Sequence, residues 1–553
     1  MALASEREDS PAIDKPQPRP AEAPTLPVRW RDLPNKTQLF ILALCRLSEP
    51  LSNVCLLPYL FYLVRSALTS GDSLKGGTNP PPTPDDISYT SGLLVASFPL
   101  AQFLVSLPWG WLSDHHGRRP SILLGLLVSA MANAAFGFSR SLGWLFFWRS
   151  VAGVANGNVG LMRTVTAELV TDRRLQTRAF LVLPLVFNSG MVASLALGGL
   201  LAEPVEKMPG LFGPDGILNW GGNEEGVVWM TRYPFALPAL MNAFVLSIAL
   251  VLAVLGLRET LVGKENEGRG LLSRHDNNIN NRGIRYQLLS SGQQSEEAKR
   301  YSTAFHNTAT PPPGRKETEL SFRKIWTRRV VAAMVSFGLL PLHNSAFMHI
   351  FPIYLSTPRR GSGGEIDEQN ANNAEEATTR TEALFTGGLA LDARTIGLWL
   401  SLFGICGIAL QLLAYPRLQS HLGGTLAVFR LSLLLFPAVY AAAPFLGALP
   451  ADTVWQWLGL ALVAGFQIGA RTLAIPSTVV LLTEAAPSRA VLGTVHGAGG
   501  MLASLARAAG PAVGGWVFAL GVRHEVIGAA WWFYLVPTAL MALLWCFLAQ
   551  RDE

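Results

Sequence analysis

Gly110-Trp-Leu-Ser-Asp114-His-His-Gly117-Arg118-Arg119-Pro120 joins two apolar runs, 88–112 and 120–139. A helix needs ~20 apolar residues to cross a bilayer, so both runs are long enough to span it. The string between them is then the bend of a membrane hairpin. Its glycines permit a tight reversal. Asp114 can cap a helix or pair with an arginine. His115, His116, Arg118 and Arg119 crowd into this one short loop. Basic residues collect on cytoplasmic loops, which sets the side it faces.

Ten further apolar runs flank the hairpin: 38–65, 142–168, 178–201 and 234–256, then 328–355, 394–414, 424–446, 452–482, 489–519 and 527–548. Arg173, Arg174 and Arg178 repeat the basic signal between spans 4 and 5. The alternate loops are acidic, with Asp72, Asp85 and Asp86 in the first and Glu203, Glu206, Glu224 and Glu225 in the fifth. The seventh holds Glu365, Asp367, Glu368, Glu375 and Glu376. Both termini are therefore expected in the cytosol, and twelve spans require them to share a side. The expected organisation is a disordered cytosolic tail (1–36), a six-helix half (37–256), a cytosolic linker (257–327) and a second six-helix half (328–553). The linker carries Asn277, Asn278, Asn280, Asn281 and Pro311-Pro312-Pro313, a composition that does not build a core. Its last stretch, Leu320–Trp326, is aromatic and basic, suited to the membrane interface.

Composition agrees with an all-α integral membrane protein. Of 553 residues, 50% are apolar and 15% charged, and the charges cluster between the apolar runs. A soluble chain of this length would need charged surfaces on several domains. The net charge of +6 is explained by cytoplasmic loops and gives no reason to expect nucleic acid. Cys45, Cys55, Cys406 and Cys546 all lie in apolar runs and make no C-x-x-C pair. The first 36 residues lack a basic region followed by a short apolar core, so no cleavable signal peptide is expected.

Two echoes suggest parallel halves. Gly190-Met-Val-Ala-Ser-Leu-Ala196 in span 5 returns as Gly500-Met-Leu-Ala-Ser-Leu-Ala506 in span 11. Arg163-Thr164 with Glu168 in span 4 returns, with a different spacing, as Arg471-Thr472 with Glu484 in span 10. Each pair stands six helices apart, as duplicated halves require.

The hairpin string resembles the loop signature of the major facilitator superfamily at nearly every defining position. The resemblance covers the chain from residue 38 onward. Arg149-x-x-x-Gly153 in span 4 is similar to a motif of proton-coupled members, where the arginine is proposed to assist proton movement. Together they resemble the twelve-helix drug:proton antiporter branch. Pro58-Tyr-Leu-Phe-Tyr62, Asn156-Gly157-Asn158 with Arg163 and Glu168, and Tyr233-Pro-Phe-Ala-Leu-Pro238 resemble its zinc-induced-facilitator-like subgroup and fungal relatives. Two departures stand out. The antiporter signature of span 5 carries Ser194-Leu195 where Gly-Pro is usual, and the intact form, Gly510-Pro511-Ala-Val-Gly514-Gly515, is in span 11. The Cys-Pro-Gly-Cys string of the plant zinc-linked members is absent.

Ionisable residues within spans are costly unless they face a cavity or a partner. Arg46 and Glu49, three apart, share a face of span 1. They read either as a structural ion pair or as a proton- or substrate-binding group. With Arg149 they are the proton-coupling candidates. His343 and Asn344 in span 7 are substrate-cavity candidates, along with Asn53, Asn156, Arg471 and Arg507. His349, six residues from His343, does not share its face, so no metal pair is expected from the two. Arg471 and Arg507 have no partner on their own helices. Either could meet an anionic substrate or neutralise a carboxylate elsewhere. Asp114, Arg118, Glu168, Arg163, Glu484 and Arg489 are gating candidates, because ion pairs at the cytosolic ends can break as two halves rock. Asn53, Gln102, Asn156, Asn158, Asn188 and Gln467 can also serve as interhelical glue, worth about 0.6 kcal/mol each.

No G-x-x-x-x-G-K-[ST], H-E-x-x-H or G-x-S-x-G string occurs, so neither a nucleotide-driven pump nor an intramembrane hydrolase is expected. A channel would not need two related halves and a long linker. The reading is a secondary active transporter of a small solute, working by alternating access, with proton-coupled export or sequestration first. Uncoupled or symport uptake of a sugar or organic anion, and a non-transporting nutrient receptor, stand as alternatives. A monomer in the plasma or vacuolar membrane, with protons as partners and no cofactor or metal, completes the expectation.

Overall fold

A computed structural model describes residues 34–73, 82–170, 173–261, 325–359, 387–450, 453–487 and 492–548. Among the described residues, twelve helical spans make up the architecture: α1 (36–73), α2 (Pro84–His116), α3 (Arg118–Gly137), α4 (142–169), α5 (Arg173–Leu201) and α6 (Ala236–Gly256), then α7 (Arg328–Ser356), α8 (Ala393–His421), α9 (Thr425–Ala448), α10 (Val454–Ala485), α11 (Leu492–Arg523) and α12 (Trp531–Leu548). Among the described residues, ten are long and apolar enough to cross a membrane on their own. The other two are α4, which a 3-10 turn at Asn156–Asn158 divides, and α5. The twelve expected spans each fall on one of these helices. Of the 257–327 interval, only 257–261 and 325–327 are among the described residues.

Local breaks have local causes. Pro50 and Pro58 each remove a helical N–H, and α1 runs as Lys36–Arg46, Ser48–Val54, a 3-10 turn at Leu57–Tyr59 and Leu60–Ser73. The α2–α3 bend turns on Gly117 at φ 107°, a backbone region open to glycine. A Cβ there would also press on the Glu259 carboxylate at 2.6 Å.

The apolar core shows how the halves meet. One cluster is continuous across both, joining Leu60, Leu94 and Leu195 of the first half to Phe351, Ile396 and Phe518 of the second. All of these lie toward the end opposite the start of α1. At the end where α1 begins, the core divides. Leu42, Leu126 and Met162 pack within the first half, while Val330, Leu482 and Val495 pack within the second. The molecule is thus closed at one end and parted at the other.

Glycines make the closed seam. A Cβ on Gly92 of α2 would stand 2.6 Å from the Pro511 carbonyl and 3.0 Å from Gly515 Cα on α11. A Cβ on Gly199 of α5 would meet Gly397 Cα of α8 at 2.8 Å. Small residues allow such backbone approach. The seam is finished by Ser401 donating to the Val192 carbonyl at 3.1 Å and Tyr62 to the Leu391 carbonyl at 2.8 Å. The sequence echo has a structural counterpart, since α5 packs on α8 as α11 packs on α2. In both copies the repeat serine bonds back to its glycine, Ser194 to Gly190 at 2.6 Å and Ser504 to Gly500 at 3.0 Å.

Candidate functional site

Glu49 stands at the centre, its side chain 1% exposed. Its Oε2 is 2.5 Å from Arg46 Nη1, a charge contact one helical turn away. Its Oε1 is 3.2 Å from Nη1 of Arg507, which comes from α11 of the other half. Gln102 of α2 completes the arrangement. Its Nε2 reaches Glu49 Oε1 at 3.5 Å and its Oε1 accepts from Arg507 Nη2 at 3.2 Å. One carboxylate therefore meets an arginine of its own helix and, through Arg507, ties the first half to the second. The Arg46 guanidinium lies 5.0 Å over the Phe187 ring of α5.

A second layer holds this group in place. Gln102 Nε2 donates to the Asn156 carbonyl at 3.0 Å, and Ser48 donates to Asn156 Oδ1 at 2.7 Å. Asn156 Nδ2 bonds Ser129 at 3.1 Å and the Ala152 carbonyl at 2.9 Å. Asn-Gly-Asn is a poor helix former, and the resulting turn in α4 exposes these groups to α1 and α2. Gly157 is required there, since a Cβ would strike the Trp109 ring.

Arg149 lies apart from Glu49. It donates to the Ser52 carbonyl at 2.7 Å, the Asn53 carbonyl at 3.0 Å, Asn53 Oδ1 at 2.9 Å and the Leu94 carbonyl at 3.3 Å. The α1 carbonyls are those just before its break, where regular helical bonding lapses. Gly153, the other end of the motif, lets α4 close onto the Phe98 carbonyl and Ala101 of α2.

The hairpin forms a charge cluster of its own. Arg118 pairs with Asp114, reaches Glu168 at 3.3 Å and donates to Ser113 at 2.6 Å. Thr260 donates to the other Glu168 oxygen at 2.5 Å. Glu259 accepts from the backbone N–H of Arg118 at 2.8 Å and of Arg119 at 3.0 Å. A carboxylate is favoured at these unpaired donors that open α3. These residues belong to the first half and to the start of the 257–327 interval, so among the described residues the cluster does not bridge the halves.

The remaining candidates scatter. Arg163 does not pair with Glu168. It is exposed and lies within electrostatic reach of Arg46, Glu49 and Arg507. Arg471 of α10 points across the interface to Met191 Sδ of α5 at 3.1 Å. Asn344 accepts from Gln467 at 3.3 Å. His343 is fully buried inside the second half, 2.8 Å from the Tyr440 hydroxyl and edge-on to Phe436. His349 is buried at the seam beside Gly92 and Gly515. Glu484 is exposed, and Arg489 lies outside the described residues. The sequence alone does not single out Glu259, and it offers Gln102 as interhelical glue. A carboxylate just past α6 and an amide near the middle of an apolar span are the only signals either gives.

Residues 42–366 match the family described as the Major Facilitator Superfamily. The major facilitator superfamily multidrug transporter mfsB of Aspergillus fumigatus is 31% identical over 538 residues, covering 91% of this chain and 81% of that protein. Zinc induced facilitator 1 of Arabidopsis thaliana is 24% identical over 478 residues, covering 86% and 82%. These likenesses agree with the narrower resemblance read from the motifs. The crystal structure of the human organic anion transporter MFSD10 superposes with a TM-score of 0.55 at 19% identity, over 93% of this chain and 99% of that one. The chain belongs to the Major Facilitator Superfamily and is a membrane transporter, not an enzyme.

Proposed function

We propose that the chain is a secondary active transporter that moves a small solute by alternating access, with protons coupled through Glu49 and Arg46. The observation that carries this reading is a buried carboxylate shared between arginines of both halves. A group so placed feels any rearrangement of the halves, and a proton added to it releases both arginines. Burial of such a charge within a span supports a role in the pathway. Export or sequestration is the favoured direction, supported by the multidrug naming of the Aspergillus relative and the efflux naming of another. The hairpin cluster of Asp114, Arg118 and Glu168 serves the gate at the parted end, and Arg149 stiffens α1 behind the site. The protein works as a monomer in the plasma or vacuolar membrane, with both termini cytosolic. Purified protein in liposomes with an imposed pH gradient tests the proposal. Solute accumulation that follows the gradient is expected, and accumulation indifferent to it refutes proton coupling.

A further inference from the structure

We infer that the cavity between the halves is an organic-anion site, held by Arg163, Arg471 and Arg507. The inference deepens the transport reading above and rests on it only for the site's use, not for the direction of proton movement. Charge balance carries the argument. Arg46, Arg163, Arg471 and Arg507 all lie at or beside the interface of the halves. Among the described residues, Glu49 is the one carboxylate that ion-pairs with any of them. Three positive charges are left without a counter-ion at membrane depth, where a charge is costly unless it meets a partner or a ligand. Arginine keeps its charge, so the imbalance is not removed by losing a proton.

Unused donors point the same way. Among the described residues, Nε of Arg471 and Nε of Arg507 are buried with no hydrogen-bond partner, and Arg471 Nη2 meets only the Met191 thioether at 3.1 Å, a weak acceptor for a guanidinium. Buried donors in this state call for an acceptor that the protein does not supply. The site is also reachable. Arg507 is 32% exposed and Arg163 more so, both toward the parted end. Gly500, on the face of α11 that carries Arg507, and Gly160, on the face of α4 that carries Arg163, have open space where a Cβ would project. Phe187 and Met191 bring apolar surface beside Arg46 and Arg471, which suits an organic body rather than a bare inorganic ion. Glu49, clamped between two arginines and 1% exposed, offers a cation little. A carboxylate or sulfonate would take the paired N–H groups that arginine presents.

Two dyes with fixed and opposite charges test this on the purified full-length protein: lucifer yellow, a disulfonate, and ethidium, a permanent cation. Fluorescence anisotropy should register saturable binding of lucifer yellow and not of ethidium. Arg471→Gln and Arg163→Gln should each weaken binding about tenfold or more, the loss of one charge-assisted contact. Arg471→Lys, which keeps the charge, should retain much of it, and this variant separates charge from folding. Ethidium binding without lucifer yellow binding, no binding of either dye, or glutamine variants that bind as the wild type does would each overturn the proposal. Flux in liposomes reads the transport proposal separately. Lucifer yellow that binds through these arginines but does not cross leaves the site standing and removes the transport reading. Ethidium that crosses while lucifer yellow neither binds nor crosses does the reverse.

Discussion

Replacing Glu49 by glutamine removes one charge from a group of three while keeping shape and most hydrogen bonding. The carboxylate stands 2.5 Å from Arg46 and 3.2 Å from Arg507. At an effective dielectric of about 20, each contact amounts to about 5–7 kcal/mol of gross attraction. Desolvation of the three charges offsets most of that, and losing one partner of a buried pair costs about 3–5 kcal/mol. Arg507 is 32% exposed and can be hydrated from the cavity once released, which puts the cost near the lower end, about 3 kcal/mol. The Glu49→Gln protein should therefore fold, with a lowered thermal midpoint in detergent. Its transport behaviour separates the two readings of the pair. Coupling to one proton at a gradient of about one pH unit supports about a tenfold solute accumulation, about 1.4 kcal/mol. In liposomes loaded with a solute that the wild type accumulates, the variant should exchange solute down its gradient and lose the tenfold term. A variant that keeps full pH-driven accumulation refutes the coupling role. One that fails to fold while Glu49→Asp folds and accumulates normally assigns the pair to structure.

Asp114→Ala should slow transport several-fold and leave substrate affinity within about twofold. The Asp114 side chain is 62% exposed, and such a pair contributes at most about 1 kcal/mol to folding; initial-rate measurements over a range of substrate concentrations test this, and unchanged rates remove Asp114 from the gate. Cysteines placed singly in 257–327 should label only from the cytosol, and those in 67–87, 202–232 and 356–393 only from the other side; labelling of the central interval in intact cells contradicts the topology. Gly92→Val should oppose closure of the α2–α11 seam by about 1–3 kcal/mol of overpacking, because its Cβ would lie 2.6 Å from the Pro511 carbonyl. Dye binding should survive while transport falls, and a variant that transports normally argues against closure at that point.

The helices were legible because twelve apolar runs leave little else for the chain to do, and the glycine-bent hairpin at Gly110–Pro120 marked its own turn. The i,i+3 pair of Arg46 and Glu49 was legible for the same reason, as spacing within a helix is visible in one dimension. Arg507 was not, since its partner lies 458 residues away in sequence and nothing local declares the pairing. The Asn156–Asn158 turn inside α4 was not legible as a turn, because it lies within an otherwise apolar run. Arg163 and Glu168 share a helix and a motif, which suggested a pair. Glu168 instead faces Arg118 and Thr260, and Arg163 faces the cavity. Histidine chemistry suggested a pore position for His343, whereas the Tyr440 hydroxyl and the Phe436 ring hold it inside the second half.

The glycine seam sets how the halves can move. At Gly92 and Gly515, and at Gly199 and Gly397, the contact is backbone against backbone, and parting such surfaces loses many weak dispersion contacts in small steps. Beside these strips a few side chains act as keys: Val192 of α5 projects onto Gly404 of α8, and the His349 ring lies against both Gly92 and Gly515. The halves thus meet like two rods with a few pegs, where the smooth strips allow rocking and the pegs hold the register in which the rods close again.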